Sequence, residues 1–227
     1  LGARLQVFQN ASICDITAQD EFDLSRPGRE KCAFFCISSD QDSTFDFLSS
    51  LFFSFLFIKL VRYADAEGVD GKLPIGVNFV LDEFPNLGVI NDFKKKISTV
   101  RSRNIGISVI FQNIAQLKNR YPNDEYLEIL GNCDTQIALG CTDEVTARFI
   151  SNRTGEVTID VNSQSKQLHA MRMTDYTPEY RETNSVGRRK LMTADEVLRM
   201  PLDEALIILR GQNVFKVKKF DYTRHPE

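Results

Sequence analysis

The run Val77-Asn78-Phe79-Val80-Leu81 is short, apolar and cut off sharply by Asp82-Glu83. A second such run, Ile105–Phe111, is cut off by Gln112. Between them, Asn91–Arg103 has helical spacing, with Phe93, Ile97 and Val100 on one face and Lys94, Lys95 and Lys96 off it. Strands joined through a helix argue a parallel pair, because parallel strands need a crossover whereas a hairpin makes an antiparallel pair. This unit constrains the fold more than any other feature of the chain.

The alternation continues on both sides. The patterning predicts a strand at Cys32–Ser38, a long helix ending near Ala66, and shorter helices at Asn113–Tyr121 and Asp124–Leu130. Strands at Thr135–Leu139 and Glu156–Val161 follow, with helices at Thr142–Asn152 and Thr193–Met200. Residues 162–192 are polar and read as a mobile loop. Ala205–Leu209 and Val214–Phe220 flank Arg210-Gly211-Gln212-Asn213 as a terminal β-hairpin. The expected fold class is α/β, a parallel-type sheet with flanking helices and an antiparallel pair at its end.

Three broad classes are disfavoured. The apolar stretch Phe45–Val61 contains Asp46, three Ser and Lys59, so it reads as a buried helix rather than a membrane span. With 28 Lys and Arg against 31 Asp and Glu, the chain cannot coat nucleic acid over its whole surface, although local basic loops are compatible with that balance. Cys14, Cys32, Cys36, Cys133 and Cys141 are odd in number and scattered. They read as reduced core residues of a cytosolic domain, not as a disulfide framework. Neither His169 nor His225 completes a zinc spacing with them.

Acidic residues at the carboxyl end of a parallel strand lie where such sheets bind ligands. In P-loop ATPases an Asp there holds the Mg²⁺ shell through water, and an adjacent Glu polarises the attacking water. By itself the Asp82-Glu83 pair is a weak signal, since any strand can run into an acidic, solvated loop. Gln112, ending the next strand, is suited to sensing a γ-phosphate or to capping loop backbone. Arg101 and Arg103 close the lysine-bearing helix, where cations favour the helix dipole and where an arginine finger is an alternative. A phosphate-cradling loop is missing: Gly71-Lys72 has Ala66 where the first glycine is needed and Leu73 where Ser or Thr is needed.

Three longer segments carry a resemblance. Leu81–Gly88 (LDEFPNLG), Lys96–Lys118 and Gly131–Ile159 occur in an order similar to the TraG/TraD family of type IV secretion coupling proteins, and the ending from Leu191 is similar to that family's last strand pair. The resemblance covers the chain from about Lys31 onward. It implies a RecA-like motor domain of a hexameric conjugation ATPase, held to the inner membrane by a preceding anchor. Such a motor couples single-stranded DNA with its relaxase to the secretion channel proteins. It further implies ATP and Mg²⁺ as cofactors of the full-length protein, Asp82 on Mg²⁺ through water, Glu83 as catalytic carboxylate and Gln112 as sensor. Arg101 matches the trans-acting arginine, and Lys94, Lys95, Lys96 and Arg103 are candidate DNA or interface contacts. The family's Walker A strand precedes the region matched. Residues 1–227 are therefore expected to be the C-terminal portion of the motor domain, with an incomplete sheet and no tight nucleotide binding alone. A relaxosome-recognition module and an FtsK-type DNA translocase fragment are the alternatives.

Overall fold

The computed structural model describes residues 6–38, 46–167 and 179–225. The chain divides into two compact units, residues 1–134 and 135–227.

In the first unit, helix α1 (Ala11–Thr17) precedes the long helix α2 (Asp46–Glu67). Strand β1 (Val77–Leu81) leads through a 3-10 turn, Phe84–Asn86, to helix α3 (Phe93–Thr99). A further 3-10 turn, Val100–Arg103, delivers the chain to strand β2 (Ile105–Val109). Helices α4 (Ile114–Arg120) and α5 (Glu125–Gly131) complete the unit. β1 and β2 are parallel, in register from Val77↔Ile105 to Leu81↔Val109, as the crossover predicted.

α2 is long and apolar enough to cross a membrane by length and composition alone. In the fold its Phe53, Leu56, Phe57, Leu60 and Ala64 are buried, while Phe55 and Ile58 are exposed. Its core contact is with β1: the rings of Phe57 and Phe79 stack at 4.2 Å. Phe79 and Leu81 alternate inward, whereas Val80 is 68% exposed. The parallel pair is thus covered on one face, although parallel sheets are ordinarily covered on both.

The second unit holds strand β3 (Thr135–Ala138), helix α6 (Glu144–Thr154) and a two-stranded ribbon of β4 (Glu156–Gln167) and β5 (Glu179–Lys190). Helix α7 (Ala194–Leu198) and strands β6 (Glu204–Leu209) and β7 (Phe215–Lys218) follow. β3, β6 and β7 form an antiparallel sheet in that order. Its core is Ala147, Ile150, Val197 and Leu206. α6 is capped by Asp143, whose carboxylate accepts the Thr146 amide at 2.8 Å, one residue later than the Thr142 expected. At α7, Thr193 and Glu196 form a complete capping box.

Three expectations fail. Cys32–Ser38 is not a strand: it has no ladder partner among the described residues, and Phe35 and Ile37 are 89% and 95% exposed. An apolar run becomes a strand only where a neighbouring backbone takes up its hydrogen bonds. Three of the five cysteines are not core residues, since Cys14, Cys32 and Cys36 are exposed, whereas Cys133 is partly buried and Cys141 packs against the core of the second unit. The 162–192 segment is not a loop where it is described: β4 and β5 pair one-to-one from Glu156↔Lys190 to Gln167↔Glu179, and residues 168–178 lie outside the described residues.

Candidate functional site

The ladder of β1 and β2 carries on past the strand ends. The Ile110 amide donates to the Leu81 carbonyl and the Phe84 amide donates to the Ile110 carbonyl, each at 2.9 Å. This register brings the residues after both strands side by side. Gln112 Nε2 donates to Glu83 Oε1 at 2.9 Å. Asp82 is exposed, and its Oδ1 accepts the Glu83 amide at 3.1 Å. Asn113 caps α4 by accepting the Gln116 amide at 2.8 Å, which fixes the backbone immediately after Gln112.

Glu83 is held in the left-handed region, with φ 45° and ψ 44°. Six non-glycine residues among those described have positive φ, and the other five are Asn or Asp. Those side chains tolerate the conformation through local hydrogen bonds, whereas glutamate carries a strain of about 1–2 kcal/mol. Such strain concentrates at functional positions and persists only where the surroundings fix it. Here the surroundings are aromatic. Phe84 is fully buried, stacked on Tyr121 at 5.2 Å and against Phe93 at 4.6 Å. Gly88 adopts φ 80° where a Cβ would stand 2.7 Å from the Asp46 carbonyl, so the turn passes directly over the start of α2.

Tyr121 is 2% exposed, and its hydroxyl accepts the Ile90 amide at 3.3 Å. Burial pushes its phenol up to about 12. Because the folded value lies above the unfolded one, the associated stability is full below pH 10 and is lost as pH rises toward 12. Urea titrations across this range should show a loss of up to roughly 2–3 kcal/mol. Tyr121→Phe should flatten that decline, and an unchanged slope would contradict the assignment.

The other sequence candidates lie elsewhere. Arg101 precedes β2 and so stands at the opposite end of the strands from Glu83. Five strand residues separate the two ends, about 16 Å. Arg101 is exposed and paired with Asp134 at 2.5 Å. Arg103 grips both oxygens of Asp65 on α2, at 2.9 and 3.3 Å. Lys94 is paired with Glu128 and Glu125 of α5 at 3.2 and 3.4 Å, and these carboxylates raise its pKa. Lys96 donates to the Asn91 carbonyl and is lowered by burial, while Lys95 is exposed beside Asp92. The fold therefore assembles Asp82, Glu83 and Gln112, and leaves the basic residues apart from them.

A cleft of 340 Å³ opens beside this acidic group, bounded by Ile37, Val80, Asp82, Glu83 and Leu87. A larger one of 660 Å³ adjoins it along β1, sharing Ile37, Phe53 and Val80, and runs between residues 30–37 and Phe53, Leu56 and Phe79. It is mainly aromatic and aliphatic, and the smaller cleft is the one with chemistry at its rim. Sequence reading missed Phe84, Arg120 and Tyr121 as supports of the site, although Tyr121 stands directly before the helix-stopping Pro122.

A family model described as type IV secretory system conjugative DNA transfer matches residues 1–227. The chain belongs to this family. Within the conjugative transfer family, it is 32% identical over 149 residues to the conjugal transfer protein TraG of Escherichia coli, covering 61% of the chain and 22% of that protein. It is 24% identical over 201 residues to the protein VirD4 of Rhizobium rhizogenes, covering 88% of the chain and 28% of that protein. The chain thus spans under a third of these relatives. The solved bacterial conjugative coupling protein TrwBΔN70 shares the fold at TM-score 0.55 and 16% identity, over 79% of this chain and 38% of that one. TrwB in complex with ADP and Mg²⁺ matches at TM-score 0.53 with 16% identity, over 75% of this chain and 37% of that one.

Proposed function

We propose that the chain is the C-terminal part of the RecA-like motor of a coupling protein, and that it carries the hydrolytic half of the nucleotide site. The observation that bears most weight is the Gln112–Glu83 hydrogen bond at the carboxyl ends of two adjacent parallel strands. The strained Glu83 backbone agrees with it.

The donor set fits ATP with Mg²⁺ in part. Asp82 is an exposed carboxylate suited to a water-mediated metal shell, and Glu83 can take a proton from an attacking water. Gln112 holds one Glu83 oxygen and so directs the other. No phosphate-cradling loop occurs among the described residues, so tight binding needs a Walker A segment from outside them. When bound, the nucleotide supplies the scissile phosphate and the metal charge. Arg101 stands too far from its own Glu83 to help there, which agrees with action on a neighbouring subunit's nucleotide. A hexamer at the cytoplasmic face of the inner membrane, passing single-stranded DNA with its relaxase to the channel proteins, completes the reading. The half-covered β1–β2 pair agrees with a parallel sheet whose second covering layer is supplied from outside these residues.

The purified chain is expected to hydrolyse no ATP, and to gain activity when joined to a Walker A-bearing segment of the family. Steady hydrolysis by the chain alone, abolished by Glu83→Gln, would overturn the half-site reading. The exposed β4–β5 ribbon favours a second role in recognising the relaxosome, which pull-down with relaxase or an accessory protein tests.

A further inference from the structure

We propose that Arg120 is a positioning residue for Glu83, acting through the turn C-terminal to it. The inference rests on reading Glu83 and Gln112 as the hydrolytic pair.

Glu83 cannot hold a left-handed backbone on its own, because its side chain offers no local bond that favours it. The next residues along the chain must therefore be anchored. Arg120 Nε donates to the Pro85 carbonyl at 2.5 Å, two residues beyond Glu83. The same guanidinium reaches Asp46 Oδ2 at 3.4 Å, at the first turn of α2. Arg120 and Asp46 are both partly shielded from solvent, with 33% and 17% of their side chains exposed. One planar fork thus ties the turn, α2 and α4 together, a geometry a lysine ammonium does not reproduce.

Arg120 ends α4, and Gln112 stands just before the Asn113 cap that begins it. The helix therefore bridges both halves of the site. At its start it sets Gln112 against the Glu83 carboxylate, and at its end it holds the backbone that presents that carboxylate. Over the six steps from Ile114 to Arg120 the helix rises about 9 Å. A shift of α4 is consequently felt by Gln112 and Glu83 together, and the pair moves as a unit.

The test uses this chain and reads the side-chain amide of Gln112 by ¹H–¹⁵N NMR, with Glu83→Ala giving the position of the released amide. Arg120→Met should move the Gln112 side-chain signals to that position while the β2 backbone amides stay put. Arg120→Lys should leave them largely moved. Stability lost with the Gln112 signals unmoved would make Arg120 merely structural and overturn the proposal. Should Arg120→Met fail to fold, Asp46→Asn removes one limb of the fork and is expected to broaden or shift the same signals, and no change would count equally against it. In the protein joined to a Walker A segment, Arg120→Met should lower kcat about 10- to 100-fold with KM little changed. If the Gln112 signals move but Glu83→Gln leaves hydrolysis intact, the hydrolytic reading fails and the positioning stands. If hydrolysis needs Glu83 but the signals never move, the reverse holds.

Discussion

Phe84→Ala should cost the first unit about 3–5 kcal/mol of unfolding free energy, the usual price of emptying a buried aromatic site. Phe84 has no exposed surface, and its ring touches Phe93 and Tyr121 at once. Through them the contact extends to Phe57 and Phe79, so the cavity opens inside one continuous aromatic cluster. Collapse is restricted because Tyr121 is anchored by the Ile90 amide and Phe79 by the β1 ladder. The chain has no Trp, so urea unfolding is followed by far-ultraviolet circular dichroism. A loss below about 1 kcal/mol would show that the site repacks freely and that the cluster does not hold the turn after Glu83.

The second large effect is on chemistry. In the protein joined to a Walker A segment, Glu83→Gln should reduce ATP hydrolysis by about 10²–10⁴-fold, the usual contribution of a general base. The substitution is informative because it preserves shape. Gln112 Nε2 can still donate to an amide oxygen at position 83, so the pair keeps its hydrogen bond and loses only basicity. Nucleotide binding should therefore be unaffected while turnover collapses. Retention of more than about a tenth of wild-type activity would exclude Glu83 as the proton acceptor. Gln112→Leu is the complementary change, leaving the base and removing its orientation.

Some of this arrangement was readable from the residues. The β1–β2 pair follows from apolar runs separated by a helix of the right period, because that pattern has one simple solution in a sheet. Once the strands are parallel, placing Glu83 near Gln112 needs only the register Leu81↔Val109. The run at Cys32–Ser38 has similar composition and fails, since composition does not supply a neighbouring strand. The β4–β5 ribbon errs the other way. Beyond Val161 its residues alternate nothing apolar, and the ladder is held by backbone pairing that a polarity pattern does not register. The left-handed Glu83 was invisible for a related reason: Asn and Asp advertise that conformation and Glu does not. Arg120 was hidden because its main acceptor is a carbonyl, which every residue possesses.

The parallel ladder also orders events in time. It joins Val77 to Ile105, with all of Asp82–Asn104 enclosed between them, so no local hairpin can start it. The β6–β7 pair closes over the short Arg210–Val214 connection and needs no such loop. The entropy of closing the longer segment is met before the first β1–β2 hydrogen bond forms. Glu83 and Gln112 come together only at the far end of that ladder. Their contact is as non-local as the ladder's own rungs, and a chain that has formed it has already closed that loop.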